Sequence, residues 1–196
     1  MATLSLVPLT ELDAVNVMLE LMGESPADAI SEDMPETEIA QSILHRTSRE
    51  VQSEGWSFNK DEKYTWTREN DDTVLLTNDV LYVDGYYPWQ DYVQRGTALY
   101  DRYNQSYTFD TDPVLNVVWF MDFTDLPSYA REYITIMAAR RFLKRVLGSE
   151  GLDNLSQEDE ARARTLFISR EMATSDANLL NGPDQWRMRL NRFRRA

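Results

Sequence analysis

Apolar positions recur at helical spacing at both ends of the chain and at strand spacing in its middle. Leu12, Val15, Leu19 and Met22 fall three to four residues apart, the interval at which one face of an α-helix repeats. Thr10 precedes them with Asp13 three residues on, the pattern of a reciprocal cap, and Gly23 with Pro26 supplies a stop. A second stripe, Ile39, Ile43, Thr47 and Val51, predicts a helix that Pro35 opens and Gly55 ends. Glu36 and Glu38 lie near its start, where the helix dipole favours anions. Pro127 opens a third helix, which carries Tyr133, Ile134, Met137, Ala138 and Phe142 and closes at Gly148. Ser156 with Asp159 predicts the start of a fourth, running to about Leu180 and apolar mainly at Ala163, Leu166, Phe167 and Met172.

After Gly55 the period changes. No aromatic residue precedes Trp56, yet sixteen of the 22 aromatics fall between Trp56 and Asp125. Residues 56–58, 64–66, 73–76, 80–83, 92–103, 107–109 and 114–120 are rich in aromatic and β-branched side chains. Turn formers such as Asn78-Asp79, Asp84-Gly85 and Asn104-Gln105-Ser106 separate them. Four to six short antiparallel strands follow, mostly as a meander. The fold class is therefore α+β. Residues 1–55 and 126–182 form a helical body, an antiparallel β region of about 56–125 is inserted, and an Arg-rich tail covers 183–196.

Charge sharpens that division. The chain carries 33 acids and 20 Lys or Arg, net −13. Residues 1–55 are net −9, residues 56–125 net −8 and residues 126–196 net +4. The chain has an acidic front and a basic rear, and its net −13 and acidic front argue against wrapping nucleic acid by a broad basic face. They leave room for DNA to pass a repelling wall. The 42% hydrophobic content is ordinary for a soluble globular protein. Absence of cysteine excludes disulfides and fits assembly in a reducing cytoplasm. Met1 to Leu9 does not read as a signal peptide. No run of about 18 apolar residues suggests a membrane span.

Candidate chemistry is sparse. His45 is the single histidine and reads as a helical residue between Gln41 and Arg49. One histidine without cysteine cannot make the usual zinc site or a His-based triad. No Gly-rich phosphate loop occurs. Carboxylates are numerous enough that chance pairs are common, so Asp71-Asp72 and Glu158-Asp159-Glu160 read as a turn and a solvated helix start. The chain is expected to have no catalytic residue, no cofactor and no metal.

Two segments stand out as partner surfaces. Tyr86, Tyr87 and Trp89 lie between turn formers in residues 84–91. They either face a partner or cover the β region's own core. The tail from Asp184 to Ala196, set off by Asn181-Gly182-Pro183, carries Arg187, Arg189, Arg192, Arg194 and Arg195, with Trp186 and Phe193 among them. Apolar anchors interleaved with arginines suit an acidic protein groove. A disordered, solubilising end is the plainer reading of the same residues.

Several segments, in order, resemble the tail tubular protein A family, the head–tail adaptors of short-tailed bacteriophages. They are Leu12 to Asn16 with Met22 to Pro26, Val51 to Asn59, Tyr92 to Gly96, Leu99 to Arg102, Leu126-Pro127 leading to Ala139-Arg140-Arg141-Phe142, and Glu158 to Arg162. The resemblance covers roughly residues 10–180 and leaves out the Arg-rich tail. It implies a virion protein at the portal vertex, assembled in the host cytoplasm. It further implies a homo-oligomeric ring of about twelve copies, closed by head-to-tail contacts. Portal protein, tail nozzle (tubular protein B) and tail fibre are the implied partners, and DNA is expected to pass through the channel without sequence-specific binding. Two other readings of the residues remain. One is a glycan-binding or glycan-hydrolysing tail protein that uses the aromatic and acidic insertion. The other is an acidic module for a basic partner.

Overall fold

A computed structural model describes residues 9–31, 34–148 and 150–174. Four helices frame five strands: α1 (Glu11–Met22) and α2 (Pro35–Gln52) come before the strands, and α3 (Ser128–Leu147) and α4 (Glu150–Thr174) after them. The strands are β1 (Lys60–Thr65), β2 (Val80–Gly85), β3 (Tyr92–Arg95), β4 (Ala98–Asp101) and β5 (Val114–Trp119). The mixed helix and antiparallel sheet content is the α+β class expected from sequence.

Helix α1 begins as its residues dictate. The Asp13 amide donates to Thr10 Oγ1 at 3.1 Å, and the Thr10 amide donates to Asp13 Oδ2 at 2.8 Å. Gly23 ends the helix in the left-handed conformation at φ 91°, which costs a residue without Cβ nothing. Apolar faces of all four helices meet in one core, with Met18, Leu44, Tyr133, Phe142 and Phe167 buried together.

The β region has its own buried cluster, built on Leu115 and Val117 of β5, Val83 of β2, Leu99 of β4, and Val74 and Phe109. Its topology differs from the expected meander. The last strand is central: the three-stranded sheet runs β1-β5-β2, and β3 and β4 form a separate hairpin. Strand β5 is the most apolar strand of this sheet, and as its middle member it buries Leu115, Val117 and Val118. Strand β1 reads Lys-Asp-Glu-Lys and is mostly exposed. A charged edge resists pairing with other chains.

Three local expectations change. Residues 56–58 form a turn, not a strand. Their rings belong to the helical core: Trp56 meets Phe167 edge-on at 4.5 Å, and Phe58 meets Tyr129 at 6.4 Å. Helix α2 ends at Gln52, before Gly55. Gly55 instead lets the chain approach β5, where a Cβ would lie 3.1 Å from Val118 Cγ2. Helix α4 starts at Glu150, so Ser156 and Asp159 lie inside it. Left-handed Gly148, at φ 59°, reverses the chain so tightly that the next helix starts almost at once.

A polar clasp joins the two clusters. Asn59 and Gln52 are buried at the junction. Asn59 Nδ2 donates to the carbonyls of Gln52 (2.9 Å) and Trp119 (2.8 Å), and the Trp56 amide donates to Asn59 Oδ1 at 2.9 Å. One asparagine thus fixes the end of α2, the following turn and the end of β5 to one another.

Candidate assembly surfaces

The loop between β2 and β3 carries the first surface. Gly85 ends β2 against Gln90; a Cβ there would sit 2.5 Å from Gln90 Cβ and 3.1 Å from its carbonyl oxygen. Gln90 closes the loop, with its amide donating to Tyr87 O at 3.0 Å and its Oε1 accepting from the Tyr87 amide at 3.2 Å. The Tyr86 amide donates to Val114 O at 3.0 Å, which pins the loop to β5. Three rings project from this frame. Tyr86 meets Tyr87 edge-on at 5.0 Å, and Tyr87 stacks on Trp89 at 4.8 Å with 11° between planes. Trp89 is 72% exposed. Neither buried cluster includes any of the three. Trp89 is thus the most open of the three, and Tyr87 is half-buried beneath it.

Sequence reasoning missed two neighbours of similar character. Tyr103 is 81% exposed, and Tyr107 is exposed while touching Tyr100 edge-on at 4.8 Å. Buried Asp101 shapes the turn that presents them, accepting from the amides of Tyr103 (2.8 Å) and Asn104 (2.9 Å). The Arg102 amide donates to Asp91 O at 2.8 Å, so this turn is tied to the end of the 86–90 loop. Arg95 lies over Tyr100, 3.6 Å from the ring centre. The signal available was the Asn104-Gln105-Ser106 turn flanked by tyrosines.

Helix α4 offers the second surface. Its inner face buries Ala163, Phe167 and Glu171, while Leu166, Ile168 and Met172 are exposed. The Glu171 carboxylate accepts from the Ser57 amide and from the Tyr129 hydroxyl, the latter at 3.0 Å. Burial, reinforced by the adjoining Glu171, pushes the Tyr129 hydroxyl up to about 12. Part of the basic rear is spent on internal pairs. Arg141 grips Glu50 with two bonds of 2.7 Å, holding that carboxyl below its usual range, and Arg140 pairs with Glu160 at 2.5 Å.

The third surface is an open groove of about 540 Å³ where the sheet meets the helical body. Phe58, Trp119 and Phe120 form apolar walls, and Asp61, Asp79, Asp122 and Asp125 line it. Asp61 accepts from Trp119 Nε1 at 2.8 Å. Arg49 of α2 lies over the Phe120 ring at 4.8 Å.

His45 Nε2 lies 3.1 Å from Glu11 Oε1 and links α2 to α1. Among the described residues no group of three His, Asp or Glu side chains is placed to hold a metal ion, and no helix is long and apolar enough to cross a membrane. Trp186, Arg187, Arg189, Arg192, Phe193, Arg194 and Arg195 lie outside the described residues.

Residues 12–177 match the model of a family described as tail tubular protein. The chain belongs to the tail tubular protein family. Tail tubular protein A of Klebsiella phage KP34 is 32% identical over 151 residues, 76% of this chain and 81% of that relative. Membership makes the chain a structural component of a phage tail. The matched span takes in the aromatic loop, the groove and α4, and stops short of the Arg-rich tail.

Proposed function

We propose that this protein is the head–tail adaptor of its virion, a ring between the portal and the tail nozzle that carries tail-fibre attachment and a channel for DNA. The observation that carries this reading is the match to the tail tubular protein family over residues 12–177. The physical features agree with it. A ring of about twelve copies needs a heterologous contact that closes, and the exposed Ile168 and Met172, on one side of α4, with Leu166 on the other, give that helix apolar flanks for such contacts. A net charge of −13 suits a channel wall that repels phosphate, because phosphate neutralisation is what makes DNA stick. Tyr86, Tyr87 and Trp89 are the candidate seat for nozzle or fibre. The stacking of Tyr87 on Trp89 covers part of each ring, which favours a protein partner over a sugar that needs open ring faces.

The tail segment is assigned to the portal, with Trp186 and Phe193 as anchors and Arg187, Arg189, Arg192, Arg194 and Arg195 as its charges. Ordering a segment costs about 1–2 kcal/mol per residue, and a rim ion pair returns only about 0–1 kcal/mol. The anchors must therefore supply much of the gain. Catalysis plays no part in this reading.

Mixing the purified protein with the portal of the same phage and imaging the product tests the proposal. Closed rings seated on the portal are expected; monomers alone, even with portal present, would overturn it. Deleting residues 184–196 is expected to leave a folded subunit that attaches poorly. Trp186→Ala with Phe193→Ala is expected to hurt more than any two Arg→Gln changes.

A further inference from the structure

We infer that, in the subunit before assembly, residues 184–196 occupy the chain's own acidic groove at the junction of sheet and helices. Two features of the groove point to a basic, aromatic occupant. Its walls are Phe58, Trp119 and Phe120, and Asp79, Asp122 and Asp125 lie along it exposed. No ion pair joins these three carboxylates to a described cation. Guanidinium already packs on this surface, since Arg49 lies over the Phe120 ring. Arginine over an aromatic face is attractive, and carboxylates beside that face strengthen the preference.

The chain itself supplies a matching segment. Residues 184–196 hold five arginines, one acid, Trp186 and Phe193. The last described turn of α4 lies near the groove. Near the end of α4 the Glu171 carboxylate binds the Ser57 amide, and Ser57 adjoins Phe58 of the groove wall. Asp184 follows Thr174 by ten positions. An extended chain of that length spans up to roughly 33–36 Å, so the groove is within reach of the same chain. A tether this short gives an effective concentration in the millimolar range, enough to favour a weak internal contact over a stranger.

The inference adds a resting partner to the segment assigned above to the portal, and rests on that assignment only for its consequence. Seating on the portal would exchange one acidic site for another. The segment would then be withheld from unrelated acidic surfaces until the portal displaces it from the groove.

The test uses the full-length protein without portal. Trypsin cuts after arginine, and loss of the C-terminal peptides is followed by mass spectrometry. Cutting within 187–195 should be about tenfold slower in the native protein than in Asp79→Asn/Asp122→Asn/Asp125→Asn at low salt, since cleavage tracks the open fraction. The protection should fade at about 0.5 M salt, where screening shortens to a few ångströms. It should not vary with protein concentration. Equal cutting rates in native and variant protein would overturn the inference. Concentration-dependent protection would give the groove to a neighbouring copy and overturn it as well. A variant that loses portal attachment with unchanged cutting would assign the groove to another protein. Should the triple variant fail to fold, a photo-crosslinker placed at Phe193 of the otherwise native chain decides the matter. Crosslinks to residues 58–61 or 119–125 of the same chain are expected; crosslinks only elsewhere would refute the assignment.

Discussion

Gln52 and Met121 are joined through both atoms of one side-chain amide: Nε2 donates to the Met121 carbonyl at 3.0 Å, and the Met121 amide donates to Oε1 at 2.8 Å. Gln52 is fully buried, and its Nε2 also reaches Ser48 Oγ at 2.9 Å. The last residue of α2 thereby holds the chain just as it leaves the sheet for α3.

That pair predicts a stability effect larger than its surface suggests. Gln52→Leu keeps the bulk but strands a backbone donor and a backbone acceptor at Met121. Each orphaned buried group costs about 1–3 kcal/mol, so a loss of about 2–6 kcal/mol is expected. Asn59→Ala should cost a similar amount, because three backbone groups lose partners. Denaturant melts of the two variants check this. A loss below about 1 kcal/mol in Gln52→Leu would mean that the clasp is not structural.

The ionisable groups predict a pH window at each end. Tyr129 is raised from its ordinary 10 to about 12, so the neutral hydroxyl is the form the fold prefers. Its contribution is complete below pH 10 and is lost as the pH climbs from 10 to 12. Asp13 and Glu50 are depressed, the first chiefly by the Thr10 amide and the second by Arg141. What they contribute is present above the usual carboxylate range and lost as the pH falls below it. Melting temperature against pH should show both falls. Tyr129→Phe should flatten only the alkaline one, and Asp13→Asn only part of the acid one. An unchanged alkaline fall in Tyr129→Phe would move its cause elsewhere.

Much of the helical body was legible because its signals are local. Thr10 with Asp13, Gly23 and Gly148 act within one turn of themselves, and each does in the structure what its residue type implies. Ser156 with Asp159 misled for the same reason. A Ser and an acid three residues apart also fall inside helices, and only the tight reversal at Gly148 shows that α4 had already begun. The sheet was legible as strands but not as an order. Pairing of β5 with both β1 and β2 joins residues far apart in sequence, and no local period encodes it. Aromatics favour strands, which makes Trp56 and Phe58 look like strand residues, but tertiary packing on Phe167 and Tyr129 claims them instead. The aromatic loop was visible as composition. Whether its rings faced the core or the solvent depended on how Gly85 and Gln90 fold the backbone, which sequence alone left open.

Gly85 gives a sharp test of that loop. Its backbone needs no left-handed conformation, so the argument is one of space alone. A methyl group would meet Gln90 Cβ at 2.5 Å and its backbone at 3.1 Å. Backbone cannot yield as a flexible side chain can. Gly85→Ala should therefore shift the 86–90 loop and break the Tyr87–Gln90 bonds, at a cost of about 1–3 kcal/mol typical of overpacking. The visible sign is a change in near-ultraviolet dichroism as Tyr87 and Trp89 unstack. A variant with native dichroism and native melting would show that the contact relaxes freely.

The exposed rings themselves should matter for assembly and not for folding. Trp89 is mostly in solvent, and Tyr86, Tyr87 and Trp89 lie outside both buried clusters. Tyr87→Ser with Trp89→Ser removes one stacked pair, worth about 0.5–1.5 kcal/mol. The melting point should fall by no more than a few degrees. Rings central to a protein interface behave differently, since a buried aromatic anchor commonly costs about 2 kcal/mol or more when truncated. That is a loss of about thirtyfold or more in affinity. The double variant should thus still join rings on the portal while binding nozzle or fibre much more weakly, as read by co-sedimentation of assembled tails. The neighbouring turn supplies a control. Tyr103→Ser alters an equally exposed ring on the tied turn, and a loss of the same partner would extend the seat across both. Normal tail assembly by the Tyr87→Ser/Trp89→Ser protein would remove the loop from any partner surface.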